Sequence, residues 1–188
     1  VFEQASKLGL DERRIAVGGS SAGGGLAAAL VHRLCKGAAG HRPVFQLLVY
    51  PMLDDRMITP SSKRIVDSRV WNVTTNTAGW NAYLRGTLSV DDRTTAHDAP
   101  PAEAAPSRFT VDDLAGLPPA FIPVGDMDLF VDEDVAYAAA LRDAGVAAEV
   151  HVMPGAFHAS NLLVPGNDLS ERWADAETHA LRRGLGLL

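Results

Sequence analysis

The 188-residue sequence is poor in cysteine, in positive charge and in long apolar runs. Its single cysteine, Cys35, has no partner for an internal disulfide and excludes a cysteine-built metal cluster. Such sparing use fits a reducing cytoplasm slightly better than an oxidising compartment, so a cytoplasmic location is expected. Cys35 itself reads as a small buried apolar residue. With 17 Lys+Arg against 23 Asp+Glu, the formal charge is -6. No basic field is available to hold a phosphate backbone or anionic lipid, which argues against nucleic-acid binding. No stretch approaches the roughly 20 apolar residues that span a bilayer. The opening VFEQASKLGLDERR is charged and amphipathic and lacks a signal-peptide apolar region. Because the chain begins with Val1 and not Met, its natural start is expected to have been removed or to lie upstream.

What is present is 47% hydrophobic and 21% charged residues, enough for one globular domain with a substantial core. Disorder, collagen and disulfide-scaffold classes do not fit. Residues 3–9 have a short helical pattern. Ile15-Ala16-Val17-Gly18-Gly19 reads as a strand ending near Gly19, and Ala22 to Lys36 as a helix with late cations and Gly37 as its stop. The glycines at 23–25 are costly inside a helix and need a special reason. Val44 to Tyr50, bounded by Pro43 and Pro51, reads as a strand covered on both faces. Further strands are expected at Phe121 to Val124, weakened by Pro123, and at Ala148 to Met153. Helices are expected at Glu133 to Ala144, with Val135, Ala138, Ala139 and Leu141 on one face, and at Leu169 to Arg183, with Trp173, Ala176 and Ala180 on one stripe.

Strands alternating with helices imply an α/β fold with a mainly parallel sheet and helices on both faces. The exception is the long region Met52 to Pro118, within which residues 52–95, carrying Trp71, Trp80 and Tyr83, read as an inserted cap-like segment over one end of the sheet. A plain linker suits residues 96–107 better than 70–86.

Gly19-Ser20-Ser21-Ala22-Gly23 is a G-x-S-x-G sequence at the expected strand-to-helix turn. A nucleophile elbow turns so tightly that side chains two positions either side of the serine would collide with backbone. It also sets Ser21 at a helix N-terminus, where the Ala22 amide can stabilise an oxyanion. Gly23-Gly24-Gly25-Leu26-Ala27-Ala28 also matches a relaxed dinucleotide fingerprint, but no acidic residue lies between Glu12 and Asp54 to hold a ribose, and a Walker lysine is absent. Serine needs a histidine to accept its proton and a carboxylate to orient that histidine. Asp128 follows the strand ending at Val124, and His158 follows the one ending near Met153, in the order Ser, Asp, His. Asp126 is a rival acid, whereas Asp132 and Asp134 read as helix caps. His32, His41, His97, His151 and His179 read as structural or solvated.

These residues resemble the bacterial hormone-sensitive-lipase-like (family IV) esterases and lipases of the α/β-hydrolase fold. GGSSAGGGLAAAL resembles the nucleophile block, LLVYPMLDD the strand after it, LPPAFIPVGDMDLFVDE the acid block and MPGAFHAS the histidine loop. The resemblance implies Ser21 as nucleophile, Asp128 as triad acid, His158 as general base and the Ala22 amide as one oxyanion donor. It implies short to medium acyl esters as small-molecule substrates, no cofactor and no metal; a homodimer is compatible with it. Peptidases and other acyl-transfer enzymes share the same three groups. The chain departs from the family at Ser20, at Leu129-Phe130 in place of Pro-Leu, and at Ala159-Ser160 in place of Gly-Phe. Nothing in residues 1–20 resembles the family's His-Gly-Gly-Gly oxyanion loop, and its N-terminal strands are missing too. Residues 1–188 are therefore expected to be an incomplete catalytic domain, the C-terminal part of a parent of roughly 300 residues. The competing expectation is a catalytically weak or inactive hydrolase-fold fragment acting as a binding or scaffold module.

Overall fold

A computed structural model describes residues 1–38, 40–84 and 99–188. Residues 85–95 of the expected insertion, residues 96–98 of the expected linker, and His97 with them, lie outside the described residues. Among the described residues the sheet has four parallel strands in the order β1-β2-β3-β4, namely β1 Ala16–Ser20, β2 Phe45–Val49, β3 Ala120–Gly125 and β4 Ala148–Met153. The described helices are α1 Ala5–Leu8, α2 Ala22–Lys36, α3 Pro60–Arg64, α4 Val73–Tyr83, α5 Val111–Leu114, α6 Val131–Asp143, α7 Ser160–Leu163 and α8 Asp168–Gly184.

Strand β3 is buried along its whole length and β2 along nearly all of it, as their nearly continuous apolar sequences require of strands covered on both faces. On one face, Ala27, Ala28 and Val31 of α2 and Tyr137, Ala138 and Leu141 of α6 pack with Leu48 and Ile122. On the other, the stripe of α8 meets the sheet, Trp173 and Ala176 against Val49 and Val124, and Ala180 against Phe45 and Phe121.

Two local expectations are corrected, while the strand expected at Phe121 to Val124 is present as β3 despite Pro123, which sits inside a fully buried central strand. Its missing donor falls on the β2 side, where the paired register runs only through Gln46–Ala120 and Leu47–Phe121, while the ladder to β4 pairs all six residues of β3. The Pro123 carbonyl still accepts from Tyr50 N at 2.8 Å. Residues 99–107 do not behave as a plain linker: Ala105 and Pro106 are buried, and Ser107 N donates to Leu53 O at 3.1 Å. Helix α6 is turned relative to the expected face, with Val135 exposed and Val131, Asp134, Tyr137, Ala138 and Leu141 inward.

The glycine run in α2 is explained by the neighbouring chain. A Cβ on Gly25 would fall closer than 3.0 Å to the Met52 carbonyl, and one on Gly24 would fall 2.8 Å from Pro51 Cβ. The helix thus lies directly on the backbone leaving β2. Gly19 is equally constrained, by the Gly23 carbonyl, but a Cβ on Gly23 meets nothing within 4 Å. The expected collision holds on one side of the elbow only. Gly25→Ala is predicted to cost about 1–3 kcal/mol, the usual range for overpacking, whereas Gly23→Ala should change stability by less than about 1 kcal/mol. Equal losses for the two in urea denaturation would contradict this.

Candidate active site

The close approach of α2 to the end of β2 positions Ser21. Its residue has φ 56° and ψ -124°, a conformation that costs a non-glycine residue about 1–3 kcal/mol and persists only when the surroundings hold it. The restraints are visible: Ser21 N donates to Val49 O at 2.9 Å, and Ser21 O accepts from Gly24 N at 2.9 Å and Met52 N at 3.0 Å. Strand, helix and loop therefore all fix the backbone of this one residue. Ser21 Oγ lies 3.0 Å from His158 Nε2, and His158 Nδ1 lies 2.8 Å from Asp128 Oδ2. Asp128 is wholly buried, and its other oxygen accepts from Phe130 N at 3.0 Å. Ala22 opens α2 with its amide unclaimed by any carbonyl among the described residues.

The acid and histidine loops are tied to each other. Asp126 N donates to Met153 O at 3.1 Å, Met127 N to Ala156 O at 3.0 Å, and Gly155 N to Asp126 Oδ1 at 2.8 Å. Asp126, the rival acid, thus braces the loop that carries His158. The imidazole is also bounded by aromatic rings: Tyr50 with centroids 4.8 Å apart, Phe130 at 5.1 Å and nearly perpendicular, and Trp71 at 6.1 Å. Burial, reinforced by the charge of Glu177, pushes the Tyr50 phenol up to about 12, so it stays a donor, to Asn161 Oδ1 at 3.3 Å.

A family profile described as alpha/beta hydrolase fold matches residues 1–162. The chain belongs to this family. Its resemblance to the hormone-sensitive-lipase-like branch agrees with that match. It is 36% identical over 158 residues to the carboxylesterase NlhH of Mycobacterium tuberculosis, covering 84% of this chain and 47% of that protein. It is 31% identical over 161 residues to an ethyl acetate hydrolase of Pseudomonas putida, covering 84% and 46%. Among solved structures, a bacterial heroin esterase superposes with TM-score 0.86 at 41% identity, over 98% of this chain and 56% of that one. Esterase LipW of Mycobacterium marinum follows with 0.84 at 37%, over 98% and 54%. The chain spans about half the length of the relatives it matches.

In this α/β-hydrolase chain the other described histidines make no hydrogen bond to Ser21 among the described residues. His32 is buried and stacked on Phe109 at 4.0 Å, with its pKa lowered by burial; His41 stacks on Phe2 at 4.8 Å. His151 and His179 are exposed on β4 and α8. Among the described residues no group of three or more His, Cys, Asp or Glu is arranged to hold a metal, and no helix is long and apolar enough to cross a membrane.

The acids after Asp128 do not cap α6 as expected, for Phe130 occupies the N-cap without a side-chain bond. Asp132 Oδ2 instead accepts from Ser61 N at 2.7 Å, and Glu133 Oε1 from Leu53 N at 2.8 Å, so both fasten the segment after β2 to α6. The rotated helix turns Asp134 into the interior, where neither of its oxygens has a hydrogen-bond partner among the described residues. Burial first, then the charges of Glu133 and Asp128, raise its pKa well above 3.8. Such a group keeps a proton in the folded state that the unfolded chain releases. Its stabilising contribution is full below 3.8 and is lost as pH rises towards the folded value. Asp134→Asn is therefore predicted to reduce the fall in Tm from about pH 5 to about pH 8, measured by calorimetry; an equally steep fall would refute the assignment.

Proposed function

We propose that the protein is a serine carboxylesterase acting on short to medium acyl esters through an acyl-serine intermediate. The observation that carries this reading is the unbroken hydrogen-bonded chain from Ser21 Oγ through His158 to buried Asp128. Ser21 Oγ attacks the ester carbonyl carbon while His158 Nε2 takes its proton. The resulting oxyanion meets the Ala22 amide, at the positive end of the 15-residue helix α2. Collapse breaks the bond to the alcohol oxygen, which leaves with the proton from His158. Water then attacks the acyl-serine, His158 again takes a proton, and expulsion of Ser21 Oγ releases the acid and restores the hydroxyl.

Asp128 holds Nδ1 protonated, so that Nε2 faces the serine as a base, and it stabilises the imidazolium. Ester preference rests on the relatives, since the three groups alone serve amide and ester cleavage alike. The reading assigns residues 52–95 a role in shaping the substrate site; Met52, Trp71, Trp80 and Tyr83 of this segment border a cavity at Ser21. No metal or cofactor enters these steps.

In the complete protein, Ser21→Ala and His158→Ala are each predicted to abolish turnover of an aryl acetate. Asp128→Asn should lower it by about 10⁴, the loss expected when the histidine tautomer is no longer fixed. A fluorophosphonate should label Ser21 in the wild type and not in His158→Ala. Unchanged rates in either the serine or the histidine variant would overturn the reading.

A further inference from the structure

We propose that Gly79 sets the depth of the acyl site and thereby limits the protein to acyl groups of about six carbons; this rests on the serine-esterase reading above. The cavity beside Ser21 has a volume of about 160 Å³. An apolar cavity of about 150 Å³ in another protein accommodates benzene, which fixes the scale. Its borders include Ser21, Ala22, Gly25, Met52, Trp71 and Gly79 but not His158. That asymmetry identifies which part of the ester enters. Of the groups on the attacked carbon, the oxyanion faces Ala22 N and the leaving oxygen must reach His158 Nε2 to receive its proton. The remaining substituent, the acyl chain, is the one directed into a cavity that His158 does not border.

Gly79 stands inside α4 (Val73–Tyr83), away from either end, where glycine weakens a helix and where it has no positive φ to require it. Space is what its position needs. A Cβ there would lie 3.3 Å from Trp71 Cζ2, 3.5 Å from Cη2 and 3.9 Å from Met52 Cε, and all three residues border the cavity. Trp71 is poorly placed to retreat. Its Nε1 donates to Oδ1 of the wholly buried Asn76 at 3.1 Å, and its ring lies 6.1 Å from that of His158. Carbon added at position 79 therefore presses on the two side chains that wall the cavity, and Trp71, held by Asn76, has little room to give.

The experiment uses the complete protein with Gly79→Ala and Gly79→Val. Turnover is measured on p-nitrophenyl acetate, butyrate, hexanoate and octanoate, and on acetates of alcohols of matching length. In the wild type, kcat/KM should fall sharply beyond hexanoate. Gly79→Val should lower the hexanoate-to-acetate ratio by about 10-fold or more, as pocket contacts worth one or two methylenes do. Gly79→Ala should lower it less. The ratio of long-alcohol to short-alcohol acetates should be unchanged, so that the shift is confined to the acyl series. An unchanged ratio in both variants, a shift confined to the alcohol series, or an equal loss on every ester accompanied by a lower Tm overturns the proposal while leaving the esterase reading intact. A wild-type protein that turns over no ester overturns that reading and this proposal together.

Discussion

The site depends on the absence of side chains between α2 and the chain leaving β2. A helix normally keeps neighbouring backbone at a distance set by its side chains, but Gly24 and Gly25 let α2 rest on Pro51 and on the Met52 carbonyl. Only at that separation can the Ser21 carbonyl accept from Met52 N while its own N–H reaches Val49 O. Those bonds hold the positive φ of Ser21 and aim Oγ at His158. The strain of the elbow and the cost of glycines in a helix are thus one arrangement: the glycines permit the contacts that maintain the strain. The same contact places Met52, and the segment that follows it, at the edge of the cavity.

A second constraint is shared between Asp128 and His158. Asp128 and His158 come from loops after different strands, and their 2.8 Å contact would be fragile if the loops moved independently. Backbone bonds from Asp126 and Met127 to Met153 and Ala156, and the Asp126 carboxylate on Gly155 N, make them one unit. Gly125 enters the same logic, for a Cβ there would collide with the Ala156 backbone. Phe130 contributes twice: its amide fixes one oxygen of Asp128 and its ring stands against the imidazole.

Much of this was legible because it is written in local pattern. Apolar runs bounded by proline or glycine marked each strand to within a residue or two at each end, and Gly37 stops α2 where expected, its N–H bonding Arg33 O. Ser21, Asp128 and His158, singled out by their order after successive strands, are joined by hydrogen bonds in the structure. The departures all arise where a distant element decides. Val135 and Asp134 differ by about 100° around a helix of 3.6 residues per turn, and only the direction of approach to the sheet determines which is inward. Pro123 is acceptable in a central strand because its missing donor costs only one bond on the β2 side while its carbonyl still accepts from Tyr50 N and the ladder to β4 stays complete, which no property of β3 alone reveals. Tyr50, Phe130 and Trp71 gave separate local signals, a strand end, an acid block and an insertion, and their convergence on one imidazole is a property of the topology.

The burial of Asp134 gains meaning from its neighbours. Asp128, Glu133 and Asp134 lie within one stretch at the start of α6, and all three are removed from water. Three ionised carboxylates there would repel one another strongly in an interior of low dielectric. The raised pKa values of Glu133 and Asp134, each caused first by burial, relieve that repulsion. Glu133 finds use for its position by accepting from Leu53 and Asp54 N–H, whereas Asp134 finds none. Holding a proton on Asp134 therefore protects the charge distribution around Asp128 at a cost in stability that grows with pH. The packing of α6 that creates this cost also carries Phe130 and the loop of Asp128 to their places, so buried Asp134 is tolerated by the same contacts that align His158.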